Sequence, residues 1–231
     1  MKCSIIVPAY NEEQGIKHCI VEIMKNVPDA EIIVVNDGST DNTANIVREL
    51  SKRHKNVKLV SYKHNRGKGY ALRKGASIAK GKILVTFDAD CSVDAGEIKK
   101  FLHAVEKDGN AFANGSRFLI PMEKRAMPLL HIMGNKLFAL ALSFLLGQRI
   151  SDGLCGTKAL AREHFKRMKL KENSWPDFEM LAEALRLGLR IVDIPVYYRR
   201  RQYGKSKMKT IKHGFYFFTQ LIKIALGKFF K

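Results

Sequence analysis

Apolar positions in the first 110 residues come in two rhythms. Short runs rich in β-branched residues, CSIIV (3–7), EIIVV (31–35), VKLVS (57–61) and ILVTF (83–87), read as strands covered on both faces. Between them the apolar residues fall at helical spacing: Ile16, Ile20, Ile23 and Val27, then Ile46, Val47 and Leu50, with Thr40 and Asp41 as capping candidates for the second helix. Strict alternation of strand and helix predicts an α/β fold with a doubly wound parallel sheet. The ligands of such a sheet lie beyond the carboxyl ends of its strands. Four polar motifs fall at such ends: PAYNEE (8–13), NDGSTDN (36–42), HNRGKGYALRKG (64–75) and DADCSVD (88–94).

The second half is less regular. It predicts a long apolar helix over 127–146, a polar loop ISDGLCGTK (150–158), a helix over 177–187, a strand RIVDIPV (190–196) and then a very basic run. Its most apolar part, LFALALSFLL (137–146), spans only ~15 Å as a helix, about half of a ~30 Å hydrocarbon core. A buried or interfacial helix is expected there, not a membrane span. With no repeat, low-complexity tract or Gly/Pro/Ser-rich linker, the chain reads as one domain, 1–209, with an extension, 210–231. In that extension Ile211, Phe215, Phe218, Ile222, Leu226 and Phe229 share one helical face, with Lys212, Lys223, Lys228 and Lys231 around it. The pattern suits an amphipathic interfacial helix and equally a helix packed on the core.

Composition sharpens the question of partners. Among 231 residues, 41 Lys and Arg face 22 Asp and Glu, a formal net charge of +19, so an anionic partner is expected: nucleic acid, a membrane surface or phosphorylated molecules. Four dispersed cysteines without a CxxC pair suggest neither a zinc site nor a disulfide framework, and a reducing, cytoplasmic setting. Met1 to Val7 leads straight into the first strand candidate, so no signal peptide is expected there.

Against this charge, DADCSVD gathers three carboxylates. Asp88 and Asp90 leave an extended backbone on the same side, an arrangement that calls for a cation, although Asp is also an ordinary turn and capping residue. The Gly-rich turn before helix-forming YALRKG suits phosphates through backbone N–H groups and the helix dipole. Phosphate plus a hard divalent cation is the implied ligand. The turn has neither the Walker A nor the GxGxxG spacing.

IIVPAYNEE, VVNDGSTDN, GKGYALRKG and DAD, in this order, resemble the nucleotide-binding half of the inverting family-two glycosyltransferases of GT-A fold. GNKLF (134–138), SDGLCGTK (151–158) and RQYGKSK (201–207) resemble the polyprenyl-phosphate hexose synthases, the dolichol-phosphate-mannose and dolichol-phosphate-glucose group. The resemblance covers nearly the whole chain. It implies a nucleotide-sugar pocket from Pro8, Ala9, Tyr10, Glu12, Asp37, Lys68, Asp88, Ala89 and Asp90, with Asp37 on the base and Asp88, Asp90 and Ser92 around Mg²⁺ or Mn²⁺. Two departures stand out: Asn36 where many members have Asp, and Ser92 where the mannose type often has Gln.

The resemblance also implies that Arg201 and Lys207 neutralise the leaving diphosphate and that Asp152 is a base or an orienting group; for the cationic positioning that an acceptor phosphate needs, Arg117 in NGSRF is the candidate. A phosphate monoester, with its second pKa near ~6, hardly needs a base. The partners implied are a nucleotide sugar of the GDP-mannose or UDP-glucose type, a polyprenyl phosphate and the anionic inner face of a membrane, with no nucleic acid. GKG and CGTK lean toward glucose, RQYGKSK toward mannose. Two competing readings are a soluble family-two transferase acting on a glycan and a non-catalytic basic nucleic-acid-binding protein. The latter predicts aromatics interleaved with Lys and Arg on an exposed platform, whereas the Phe residues here follow one helical stripe.

Overall fold

The computed structural model describes residues 2–204, 208 and 210–227. Seven strands, β1 (Cys3–Ala9), β2 (Glu31–Asp37), β3 (Val57–Tyr62), β4 (Ile83–Thr86), β5 (Ala111–Ser116), β6 (Lys158–Ala161) and β7 (Arg190–Pro195), form one sheet in the order β3-β2-β1-β4-β6-β5-β7. The helices are α1 (Ile16–Asn26), α2 (Thr43–Arg53), α3 (Lys68–Ile78), α4 (Ile98–Lys107), α5 (Leu129–Leu146), α6 (Arg162–Arg167), α7 (Asp177–Arg186) and α8 (Thr210–Ala225).

Strands β1 to β4 are parallel. Strand β6 is antiparallel to both β4 and β5, and β7 is parallel to β5. Among the described residues, six strands therefore run one way and β6 runs back. The carboxyl ends of the six and the amino end of β6 meet at one sheet edge. That edge collects the four motifs of the first half, Arg117 after β5, the 151–157 loop before β6 and the basic segment after β7.

Alternation along the strands builds a core on each face. On one face Ile5, Val7, Ile32, Val34 and Val85 pack with Ile16, Ile20 and Ile23 of α1, Val47 of α2 and Phe101 of α4. On the other, Ile6, Ile33, Val35 and Leu84 pack with Leu72 of α3, Leu142 of α5, Phe178 of α7 and Phe217 of α8. Both faces are covered, so the strands can be continuously apolar.

The periodicity missed four elements. β5 (AFANGS) and β6 (KALA) hold no β-branched residue, α6 spans only six residues, and α4 follows the acidic turn after one 3-10 turn, Ala95–Glu97. At α2 the N-cap is Asn42, without a side-chain cap bond; Asp41 instead accepts from Thr43 N at 3.0 Å. The helix expected over 127–146 is α5, Leu129–Leu146; what changes is the ~15 Å limit drawn from 137–146 alone, because His131, Asn135 and Lys136 continue the helix and its 18 residues span ~27 Å. By length and composition alone it is long and apolar enough to cross a membrane.

α5 buries Asn135, Ala139 and Leu142. It leaves Leu130, Met133, Leu137, Leu140 and Phe144 exposed, the last at 86%. α8 is two-faced in the same way. Phe217, Leu221 and Ile224 are buried, with the Phe217 ring 5.4 Å from Phe178 and 5.8 Å from Phe138, while Phe215, Phe218, Ile222 and Leu226 of the predicted stripe are exposed. Ile211 and Phe229, which the sequence adds to that stripe, lie outside the described side chains.

Candidate active site

Each carboxylate of the acidic turn meets a cation of the same chain. Asp88 Oδ1 lies 2.7 Å from Lys68 Nζ, Asp90 Oδ2 2.5 Å from Arg201 Nη2, and Asp94 Oδ2 2.6 Å from Arg199 Nη2. The other Asp90 oxygen accepts from the backbone N–H and the hydroxyl of Ser92 at 3.0 and 2.8 Å. The segment after β7 is fastened on this turn: Arg199 N–H donates to the Ser92 carbonyl at 2.7 Å, and Val93 bridges Tyr198. Much of the question raised by the acidic turn is thus answered inside the chain, by three basic side chains from two distant segments.

Lys68 is the first residue of α3. Burial opposes its charge, but Asp88 and then Asp177 outweigh burial and hold its pKa above the ordinary lysine value. Burial likewise opposes the Asp88 carboxylate, and Lys68, with Arg117 and Arg201 behind it, brings that pKa below the usual range. The Gly156 backbone rests against this pair, and a Cβ there would collide with the Asp88 carboxylate and the Lys68 ammonium. The turn leading to Lys68 is ordered by Asp37, whose carboxylate accepts from Arg66 N at 2.7 Å, Gly67 N at 2.8 Å and Asn65 Nδ2 at 3.0 Å. Asp37, expected on the base, is therefore also the residue that shapes the phosphate-type turn. Gly67, at φ 94, occupies backbone space that a side chain would fill against Asn173.

Arg117 and Asp152 form a bidentate pair, Nε to Oδ2 at 2.6 Å and Nη2 to Oδ1 at 2.9 Å. Asp152 is fully buried and also accepts from the N–H groups of Arg117 and Leu154. Burial would raise its pKa, yet Arg117 overrides burial and depresses it. A carboxylate so acidic and so fully engaged is a weak proton acceptor. The guanidinium in turn faces the Tyr198 ring at 5.3 Å.

Arg201 Nη1 also lies 3.5 Å from Glu12 Oε1, so it spans the β1 and β4 ends. Glu12 is buried and its N–H donates to Thr43 Oγ1 at 2.9 Å; Ala9 and Ala89 are also buried, and Pro8 and Tyr10 are half-buried at the β1 end. Lys207 lies outside the described residues. The other sequence-predicted residues, Pro8 to Glu12, Asp37, Lys68, Asp88 to Ser92, Arg117, Asp152 and Arg201, converge on the one sheet edge.

The family model described as Glycosyl transferase family 2 matches residues 4–169, from β1 through α6. The chain belongs to that family. This family 2 chain is 30% identical to a UDP-N-acetylglucosamine–dolichyl-phosphate N-acetylglucosaminyltransferase of Methanococcus voltae, over 97% of this chain and 96% of the relative. It is 32% identical to a dolichyl-phosphate beta-glucosyltransferase of Trichomonas vaginalis, over 96% of this chain and 72% of the relative. Glucosyl-3-phosphoglycerate synthase of Mycobacterium tuberculosis, solved with Mn²⁺, UDP and glucosyl-3-phosphoglycerate, superposes with a TM-score of 0.72 at 21% identity, over 98% of this chain and 79% of that one. The family 2 fold is GT-A, as the resemblance implied.

The donor set of this family 2 site fits a hard divalent ion. Among the described residues no three His, Cys, Asp or Glu side chains cluster as a metal cage. Asp88 and Asp90 offer carboxylate oxygens, and one or two carboxylates completed by phosphate oxygens and water is how Mg²⁺ is commonly held. Ser92, expected as a third ligand, has its hydroxyl committed to Asp90 Oδ1. Sequence reasoning missed the groups beneath the site, Asn114, Lys158, Asp177 and Asp193. The signal for Lys158 was present: a lysine opening the apolar run KALA.

Proposed function

We propose that the chain transfers a hexose from a nucleoside diphosphate sugar to a polyprenyl phosphate at a membrane surface, with inversion and with Mg²⁺ or Mn²⁺. One observation carries the reading. Beside the Arg117–Asp152 pair opens a groove of about 670 Å³, lined by Phe118, Lys136, Leu140, Phe144, Arg149 and Ser151. Apolar walls with two cations near a buried Arg suit a phosphate that carries a lipid chain. The groove is continuous with the exposed apolar face of α5, and a lipid acceptor can reach it from a bilayer on which α5 and α8 rest. The names of the relatives, which are dolichyl-phosphate transferases, support the same acceptor. They add N-acetylglucosamine to the mannose and glucose suggested by the motifs.

In this reading an oxygen of the acceptor phosphate forms the new bond to the anomeric carbon as the bond to the nucleoside diphosphate breaks on the opposite face. Asp88 and Asp90 would hold Mg²⁺ or Mn²⁺, which would supply neutralising charge for the diphosphate. Lys68 adds a fixed positive charge at the α3 start, and Arg201 adds another once it exchanges Asp90 for the diphosphate. Arg117 directs the acceptor phosphate, and Asp152 holds Arg117 in register. No proton needs to be removed from a dianionic phosphate, so the engaged state of Asp152 is no obstacle. The protein acts as a peripheral enzyme on the inner, cytoplasmic face of the membrane.

The test is a panel of GDP- and UDP-sugars with a short-chain polyprenyl phosphate and Mg²⁺ or Mn²⁺, scored for lipid-linked product. Transfer to a soluble glycan, with none to the polyprenyl phosphate, would favour the glycan-acting alternative.

A further inference from the structure

Lys158, the first residue of β6, is fully buried. Its Nζ donates to the Cys155 carbonyl at 2.7 Å and to Asn114 Oδ1 at 2.9 Å, and stands 3.6 Å from Asp177 Oδ1. Removing an ammonium from water is costly, and an apolar side chain following the pattern of Ala159 and Leu160 would avoid that cost. What the charge accomplishes is visible in its partners, which lead to the two halves of the site.

The first route runs through Asn114. An ammonium only donates, so the amide oxygen must face Lys158 and the amide nitrogen must face the other way. There the nitrogen donates to the Asp152 carbonyl at 2.9 Å and to Asp193 Oδ1 at 2.8 Å. Asp193 in turn accepts from the N–H and hydroxyl of Ser151 at 2.7 and 2.6 Å. Residues 151 and 152 are thus held in place, and with them the Arg117 guanidinium. The second route runs through the Cys155 carbonyl to Gly156, whose own carbonyl accepts from Thr86 Oγ1 at 2.7 Å and whose Cα abuts Lys68 and Asp88. Asp177, beside Lys158, also acts electrostatically on Lys68.

We propose that Lys158 is a positioning residue that fixes the spacing between the Lys68–Asp88 pair and the Arg117–Asp152 pair. On the functional reading above, on which this inference rests, those pairs serve the donor diphosphate and the acceptor phosphate. Each half keeps its own ligand contacts when Lys158 is lost, but their relative placement slackens. Turnover falls while affinities stay.

The test compares Lys158→Met, Asp177→Asn, the double variant Lys158→Met/Asp177→Asn, in which no buried charge is left without its counter-charge, and the milder Asn114→Ser, which cuts only the route to Asp152. Urea unfolding, UDP and GDP binding in Mn²⁺ by calorimetry, and kcat and KM for lipid-linked product are read on each full-length protein. The expected result for the double variant and for Asn114→Ser is cooperative unfolding, nucleotide affinity within about three-fold of wild type, and kcat lower by on the order of 100-fold. A folded variant with wild-type kcat, or a loss of kcat that tracks nucleotide affinity, overturns the positioning role. If the double variant does not fold, Asn114→Ser decides alone. Wild-type protein that makes no lipid-linked product from any nucleotide sugar overturns the functional reading, and the inference with it.

Discussion

Arg201 and Asp90, 111 positions apart, form an ion pair of 2.5 Å at the centre of the acidic turn. The carboxylate that the metal reading needs is thus covered by an arginine that the leaving-group reading needs. Both roles are compatible if the arginine changes partner when diphosphate and metal arrive together. Arg201→Ala should therefore lower the Mn²⁺ concentration for half-saturation, since Asp90 is released, and yet reduce turnover roughly 100-fold, since a cation on the leaving group is lost. A metal titration of transfer rate checks both signs.

Asp90→Ala is expected to abolish transfer and leave the fold intact, because Asp90 contributes to the site and not to either apolar core. EDTA on the wild type should reproduce that loss, and Mn²⁺ or Mg²⁺ should restore it only for the wild type. Full activity of Asp90→Ala in metal-free buffer would remove the metal from the reading.

Asp152→Asn leaves Arg117 buried and without its carboxylate, an error that typically costs about 3–5 kcal/mol. The variant should unfold at a clearly lower urea concentration, so its loss of activity does not identify a base. Arg117→Met/Asp152→Leu removes both charges and should recover much of that stability without recovering transfer. Denaturation midpoints and product assays on the same preparations separate the two effects.

The pKa shifts fix a pH window. Asp88 and Asp152 are depressed, burial being outweighed by Lys68 and by Arg117, so their stabilisation is full above the unfolded value of ~3.9 and is lost as pH falls through the folded values. Lys68 is raised, so its share is full below ~10.4 and is lost as pH rises through its folded value. None of these losses falls between about pH 5 and 9. An acid limb in kcat/KM should then come from the acceptor phosphate, near ~6. A phosphonate acceptor of higher second pKa should move that limb upward; an unmoved limb would assign it to the enzyme.

The two faces of α8 call for point changes instead of truncation. Removing 210–231 would strip Phe217, Leu221 and Ile224 from the core, so unfolding after truncation would say nothing about membranes. Phe144→Asp and Phe215→Asp alter side chains that are 86% and 71% exposed and should leave the unfolding midpoint nearly unchanged while reducing flotation with anionic liposomes. Phe217→Ala should do the reverse, costing about 3–5 kcal/mol of stability. Equal flotation of all variants at low salt would detach the exposed face from the bilayer.

The parallel half of the sheet was legible because runs such as EIIVV carry the signature of strands buried on both faces. KALA and AFANGS carry no such signature, since neither holds a β-branched residue and their place in the sheet is set by partners distant in the chain. In the site, residue types at the ends of the four recognised strands predicted the convergence of Asp88, Asp90 and Lys68; Arg117 could not be placed there, because β5 was not recognised. The pairing of Arg117 with Asp152 and of Arg201 with Asp90 was not legible, because ion pairs depend on orientation at a tertiary contact. Lys158 opens an apolar run, a visible signal, but its burial was not legible: a buried lysine and a surface lysine look alike until the strand around it is placed.

The reversed strand β6 has a consequence in time. β5 joins the rest of the sheet only through β6, which pairs with β4 across more than seventy residues. As the chain leaves the ribosome, β1 to β4 can associate early, but β5 waits for 158–161 before it has a place. Arg117, attached to β5, can therefore be set against Asp152 only once β6 is in place, and the segment bearing Arg201, later still in the chain, closes over the acidic turn after it. Until then Asp88 and Asp90 stand in a nascent domain with Lys68 as their nearby cation, so the acidic turn and its first counter-charge precede the Arg117–Asp152 pair.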